Sequence, residues 1–329
     1  MMCKRILRGG AHAAAAFTLA VLVAGSPALG QSWPTKPIRV ISPIGAGSAA
    51  DILSRTFSEQ LSAQLGQSVI VENRPGAGGT LGVNIAAKAP ADGYTILIHS
   101  NGHTIAPAVY PNLPYDPVAD FTAITTLGSF PNVLVVAPSK NIRTAQALAA
   151  AARSKPGAFN YASGGVGTPT HLAAERYRLS AGFDAQHVPF KGQLEALTEV
   201  MTGRVDFYFC PVFPALPFIR DGKLLALAVS SSKRVSSLPA VPTTLEAGFV
   251  NSDFNFWVGM FVPANTPAPV VKKLHEETLK AMQAPALLEK LAKLGVEPMT
   301  MTLEQFGAYV KSEIAANAVL ARAAGIKAQ

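Results

Sequence analysis

The stretch Ile38–Arg55, IRVISPIGAGSAADILSR, constrains the fold more than any other. A β-rich run of Ile38, Val40 and Ile41 meets a loop of Pro43, Ile44, Gly45, Ala46 and Gly47. An amphipathic helix pattern then starts near Ser48, with Leu53, Phe57, Leu61 and Leu65 repeating every four residues until Gly66. Strand, glycine-rich turn and helix start in one unit imply an α/β layer. They also form a cradle for an anion, because the first amides of a helix lack intrahelical acceptors and lie at the positive end of its dipole.

The same alternation continues along the chain. Ser68 to Val71 reads as a strand, Asn73 to Gly79 as a second glycine-rich turn entering a short helix through Ala87, and Tyr94 to His99 as a third strand. Strands alternating with helices argue for a parallel sheet. Asn101 to Asp120 reads as ordered loop with a short helix. The apolar runs Ala123 to Leu127 and Val133 to Ala137 flank Gly128-Ser129-Phe130-Pro131, which reads as the crossing into a second domain. There the alternation restarts, with helices at Thr144 to Ala152, from Thr168, at Gln193 to Thr202 and at Pro214 to Arg220. Phe254 to Val262 carries the chain back, and three helices close it, the last opened by a Thr302/Gln305 capping box. Domain 1 is therefore expected at 31–131 with 253–329 and domain 2 at 132–252, with a cleft between them. No sequence repeat links the halves.

The first thirty residues read as a cleavable secretory signal. Lys4, Arg5 and Arg8 precede an apolar region from Ala13 to Gly25, and Ala28-Leu29-Gly30 is a small-x-small motif before Gln31. The apolar region is too short for the roughly 20 residues that span a membrane. Removing it from 329 residues leaves 299 and lowers the net charge from +8 to +5. That surplus is scattered, with no basic run and no aromatic–basic interleaving, so nucleic acid is not an expected partner. Of two cysteines only Cys210 remains, which excludes an internal disulfide and leaves a buried small apolar residue as the ordinary reading of Cys210. An exported monomer that attracts small acidic molecules fits these features.

Gly45-x-Gly47-x-x-Ala50, with Glu72 near the end of the next strand, is a permissive match to a dinucleotide fingerprint. Against an oxidoreductase stand the long spacing to Glu72, Pro43 in the turn, and the export signal. Ser48 and Asp51 match an N-cap with an acidic third residue, so Asp51 either caps or accepts from a ligand ammonium or hydroxyl; the amides from Gly47 through Ala49 to Ala50 are the better ligand candidates. In the second half Ser163, Gly164, Gly165, Val166 and Gly167 form a flexible loop before Thr168-Pro169, an N-cap followed by proline. The two loops would face each other as a clamp for carboxylates. Lys191, in His187-Val188-Pro189-Phe190-Lys191-Gly192, is either at the cleft edge or solvated. Ser100, Asn101 and His103 follow the third strand, where polar groups could reach a ligand, and His171 reads as helix surface. There is no GxSxG and no Walker loop, and Leu279 stands where a zinc HExxH after His275-Glu276 needs histidine. No metal or cofactor is expected, and the chain offers grip without machinery for bond breaking.

These residues together resemble a family. Trp33-Pro34-x-Lys36-Pro37-Ile38-Arg39, the Pro43–Asp51 loop, Val71 to Gly79, Asp92-Gly93-Tyr94-Thr95, Tyr115-Asp116-Pro117 with Asp120-Phe121, His187 to Gly192, and Leu238-Pro239-x-Val241-Pro242-Thr243 with Glu246-Ala247-Gly248 look like the Bug (TctC-like) receptors of tripartite tricarboxylate transporters. The resemblance implies a type II periplasmic binding-protein fold that closes like a flytrap on a carboxylate and serves membrane permease subunits, with a ligand sensor for a signalling partner as the other use of such a cleft. It carries Pro43 to Ala50 and Ser163 to Thr168 over as ligand contacts, with Ser100 to His103, Lys191 and Cys210 near the cleft. Where the family commonly reads PFPPGGSTD, this chain has Ala49 and Ala50, and Cys210 stands where an acidic or amide residue is common. These departures point to a mono- or dicarboxylate with an apolar or aromatic body, stacked near Phe190 or Phe209.

Overall fold

Strand and helix alternate as the periodicity requires. The structure, a computed structural model, describes residues 33–326, so the expected signal peptide and its cleavage point lie outside the described residues. From Lys36 onward the chain forms one compact unit. Its elements in order are β1 (Ile38–Ser42), α1 (Ala49–Leu65), β2 (Val69–Asn73), α2 (Thr80–Ala87), β3 (Thr95–Ser100), α3 (Gly102–Val109) and β4 (Phe121–Phe130). Then come β5 (Asn132–Val136), α4 (Ala145–Ser154), β6 (Phe159–Ser163), α5 (Pro169–Ala181), β7 (Ala185–Pro189), α6 (Gln193–Met201), β8 (Phe207–Pro211), α7 (Val212–Arg220) and β9 (Leu225–Val229). β10 (Phe256–Pro263) returns, followed by α8 (Ala268–Ala281), α9 (Pro285–Lys293) and α10 (Leu303–Ala323).

The strands form two five-stranded sheets, ordered β2-β1-β3-β10-β4 and β7-β6-β8-β5-β9. Each has a parallel core, β1 against β2 and β3 in one and β6 against β7 and β8 in the other. Each is also crossed by one antiparallel strand that arrives from the other half, β10 in the first and β5 in the second. The sheets are therefore mixed rather than parallel. Their matching order shows a topological repeat that the side chains do not record. β3, β5 and β10 are buried at every position, which explains the apolar runs Ile96-Leu97-Ile98, Val133-Leu134-Val135-Val136 and Met260-Phe261-Val262 within them.

The helices close on these sheets as their caps dictate. Ser48 caps α1 and Gly66 ends it in the left-handed conformation, and Thr302 with Gln305 completes the capping box of α10. Phe306 and Val310 of α10 pack with Ile41, Trp257 and Phe261 in the first lobe. At the expected crossing, Gly128, Ser129 and Phe130 are the last part of β4, and only Pro131 separates it from β5. A Cβ on Gly128 would meet Val296 Cγ1 at 2.5 Å, so this glycine serves close packing inside a strand.

The two crossings between lobes are tied together. Ser230 N donates to Asn132 O at 2.8 Å, Phe254 N to Ser230 O at 2.8 Å, and the rings of Phe130 and Phe256 lie 5.5 Å apart. Among the described residues no helix is long and apolar enough to cross a membrane.

Candidate ligand-binding site

Between the lobes lies a cavity of about 110 Å³. The first lobe contributes Ile44, Gly45, Ala46, Gly47, Ser48, Ala50 and Ser100. The second contributes Gly164, Thr168, Pro169 and Thr170 from the start of α5, and Lys191 to Glu195 from the start of α6. Phe256, at the crossing, completes the wall.

Three helix N-termini, α1, α5 and α6, thus meet at one cavity. The amides of Ala50, Thr170, Gln193, Leu194 and Glu195 fall in first turns, where no intrahelical acceptor exists. Each helix adds partial positive charge at the same end. Lys191 is exposed at the rim and forms no ion pair among the described residues. Donors converge here, an arrangement suited to a small anion such as a carboxylate.

The β1–α1 loop is held by a buried carboxylate. Ser48 Oγ accepts from Asp51 N at 3.2 Å, and the Asp51 carboxylate accepts from Gly47 N at 2.9 Å, Asn73 Nδ2 at 2.8 Å and Arg55 Nε at 3.1 Å. Asn73 Nδ2 also donates to Ile44 O at 3.0 Å, closing a frame around the loop. Burial by itself would raise the Asp51 pKa, but the hydrogen bonds from Arg55, Asn73 and Gly47 outweigh it and hold the carboxyl below its usual value. Asp51 does not line the cavity; it shapes the loop that does. Asp51→Asn keeps the shape but replaces one acceptor oxygen by a donor. It is expected to lower stability by about 2 kcal/mol, read as a lower urea midpoint by circular dichroism.

The second-lobe loop is bonded to itself. Ser163 Oγ accepts from Gly165 N at 3.0 Å and lies 2.6 Å from His187 Nε2. Gly164 N donates to Thr170 Oγ1 at 3.0 Å, Thr168 Oγ1 to Gly165 O at 2.8 Å, and Gly167 N to His171 Nδ1 at 3.2 Å. Gly164 and Thr168 reach the cavity, while Ser163, Gly165, Val166 and Gly167 support them from outside its wall.

Several expected contacts lie elsewhere, for physical reasons. Pro43 packs where a Cβ on Gly82 would meet it at 2.7 Å, and Ala49 is buried in α1. Asn101 is fully buried and donates to Asn255 O at 3.0 Å. His103 is fully buried, its ring 4.4 Å from Phe261 and its Nε2 2.9 Å from Pro117 O. Phe190 packs on the second-lobe core, and Cys210 lies inside that core with its thiol donating to Val133 O at 3.7 Å. Burial pushes the Cys210 thiol up, so it is an inert packing residue. Phe209 is buried against Tyr177. His171 is buried rather than on the helix surface, stacked on His187 with ring centroids 3.8 Å apart. The dinucleotide acid also fails: Glu72 pairs with Arg39 at 2.9 Å and Arg74 at 3.0 Å, outside the cavity wall.

Residues 192–195 were missed although the sequence shows their helix start, because only Lys191 carried a charge there that suits an anion. Phe256 was missed because an apolar run hides which of its residues faces a cavity. Among the described residues no group of His, Cys, Asp and Glu is arranged to hold a metal ion.

The family described as "Tripartite tricarboxylate transporter family receptor" matches residues 53–326. The chain belongs to that family. The solved periplasmic binding protein BugD is 31% identical, with a TM-score of 0.84 over 90% of this chain and 100% of that one. Rpa4515 of R. palustris, solved with adipate, is 30% identical, with a TM-score of 0.85 over 89% and 98%. MatC of Rhodopseudomonas palustris, solved with bound malate, is 28% identical, with a TM-score of 0.82 over 88% and 99%. Tripartite tricarboxylate receptors of this kind are periplasmic binding proteins that hold small carboxylates, and they are receptors rather than enzymes.

Proposed function

We propose that this chain is an exported receptor, cleaved near Gly30/Gln31, that closes its lobes on an organic carboxylate and delivers it as a monomer to a tripartite tricarboxylate-type permease. The lobes are residues 31–131 with 253–329, and 132–252. The observation that carries this reading is the meeting of three helix N-termini, with Lys191, on one cavity. Rpa4515 with adipate and MatC with malate support it, since both are relatives that hold dicarboxylates.

The ligand is a mono- or dicarboxylate with an aliphatic or aromatic body. Ile44, Ala46, Ala50, Pro169, Leu194 and Phe256 make much of the wall apolar. The hydroxyls beside them are already engaged: Ser48 Oγ accepts from Asp51 N, Ser100 Oγ from Gly102 N, and Thr170 Oγ1 from Gly164 N. A hydroxyl-rich ligand would have to bury most of its donors against this apolar wall, at a cost. The aromatic partner is Phe256, in place of Phe190 or Phe209. Native mass spectrometry of protein released gently from the periplasm tests the reading: a retained organic acid is the expected adduct, and a retained nucleotide would overturn it.

A further inference from the structure

We propose that Tyr110, one residue beyond α3 in the first lobe, is a positioning residue for the ligand site: its hydroxyl holds the apex of the second-lobe loop 163–168. The inference rests on the carboxylate-receptor reading of the cavity. Tyr110 Oη donates to Val166 O at 3.1 Å. Val166 is the tip of the loop, and the loop's shoulders, Gly164 and Thr168, line the cavity, while Tyr110 and Val166 do not. Tyr110 therefore acts on the site through the loop and never through ligand.

The seat is built from both sides. A Cβ on Gly78, which has φ 64°, would fall 2.6 Å from Tyr110 Oη and 2.9 Å from Val166 O, so only glycine lets these groups meet there. A Cβ on Gly167, at φ 73°, would fall 3.1 Å from Val109 Cγ1. Glycines in left-handed backbone thus flank the Tyr110–Val166 bond in both lobes. The loop's other bonds, among Ser163, Gly165, Thr168, Thr170, His171 and His187, all stay within the second lobe. Val166 and Tyr110 both pack on an apolar cluster that joins Ile105 and Val109 of α3 to Leu172 and Ala173 of α5. The loop thus takes its binding shape on a surface that the first lobe supplies. Shape fixed before binding raises affinity, because ligand does not then have to order the loop.

Two variants test this in the full chain. Tyr110→Phe keeps the ring and removes the hydroxyl; Gly78→Ala forces the hydroxyl and carbonyl apart. Hydrogen exchange at the amides of 163–168 in ligand-free protein is expected to speed up about fivefold in each, the effect of one lost hydrogen bond, with the β3 and β6 amides unchanged. Adipate affinity, by titration calorimetry, is expected to fall about fivefold in each, and the double variant to match the single ones, because both act on one contact. Exchange within twofold of wild type at 163–168, or a loss of affinity without faster exchange there, would overturn the proposal. If wild-type protein does not bind adipate, it is the ligand reading that fails for that compound, and the exchange result still decides the role of Tyr110.

Discussion

Ser48→Asp is expected to fold like the wild type and to lose carboxylate binding by more than a hundredfold. Ser48 caps α1 by accepting from Asp51 N, and aspartate caps a helix as well as serine does. Its charge also suits the helix N-terminus, so the melting temperature should hold or rise slightly. The same side chain borders the cavity of about 110 Å³, where a new carboxylate competes for the α1 amides and faces the ligand's own. Like charges about 4 Å apart cost about 4 kcal/mol at an effective dielectric of 20, enough to remove micromolar binding. Ser48→Ala gives the converse pattern: a stability loss of about 1 kcal/mol from the missing cap, with the cavity still open to an anion. Thermal melts beside titration calorimetry separate the two. Binding by Ser48→Asp within tenfold of wild type would place the carboxylate elsewhere.

Acid should destabilise the protein well before its carboxylates titrate. Burial is the main cause that pushes His103 and His171 down to about 4, with Arg178 adding to the effect on His171. For His103 the contact with the Pro117 carbonyl and the charge of Asp116 oppose burial without overcoming it. His99 is also driven well below its usual value, by burial and by His103. These rings are neutral in the fold, whereas in the unfolded chain they take a proton near pH 6.5. Their contribution is therefore complete above about pH 6.5 and is lost as pH falls from there toward 4. Each of His103 and His171 should cost about 2 kcal/mol of stability by pH 5. Asp51 works in the same sense at lower pH, since its lowered pKa contributes above the unfolded value near 3.8 and is lost only in stronger acid. Urea midpoints at pH 7.5, 6 and 5 should fall steeply, and more shallowly in His103→Phe. Flat midpoints across that range would show that these rings are not held neutral.

What the sequence made legible were features with a local cause. Ser48, Gly66, Thr302 and Gln305 act on their own helices, and each is where its pattern puts it. The family, the two α/β halves and the α1 and α5 helix starts at the cavity were legible for the same reason, since short motifs carry them. What was not legible depends on packing between distant segments. Gly128 was read only as part of the crossing, because sequence cannot show Val296 arriving from far along the chain to pack against it inside β4. His103 and Asn101 looked available because polar side chains give no sign of being enclosed, and both are fully buried; Cys210 is buried as its apolar neighbours suggest, away from the cleft where the resemblance put it. Phe256 lies in an apolar run and Leu194 at a helix start, and only the meeting of the two lobes makes them walls. The apolar character argued from Ala49, Ala50 and Cys210 survives on other residues: of those three only Ala50 borders the cavity, and Ile44, Leu194 and Phe256 supply the rest.

The central claim is that this cavity recognises a carboxylate by helix-start amides and an apolar wall. The most direct measurement is titration calorimetry of the protein with matched pairs, each an aliphatic or aromatic carboxylic acid and its neutral carboxamide, beside hydroxylated acids such as citrate. Tight binding of at least one apolar acid is predicted, with its amide at least a hundredfold weaker and the hydroxylated acids weaker as well. Equal binding of an acid and its amide, or binding of hydroxylated acids alone, would contradict it.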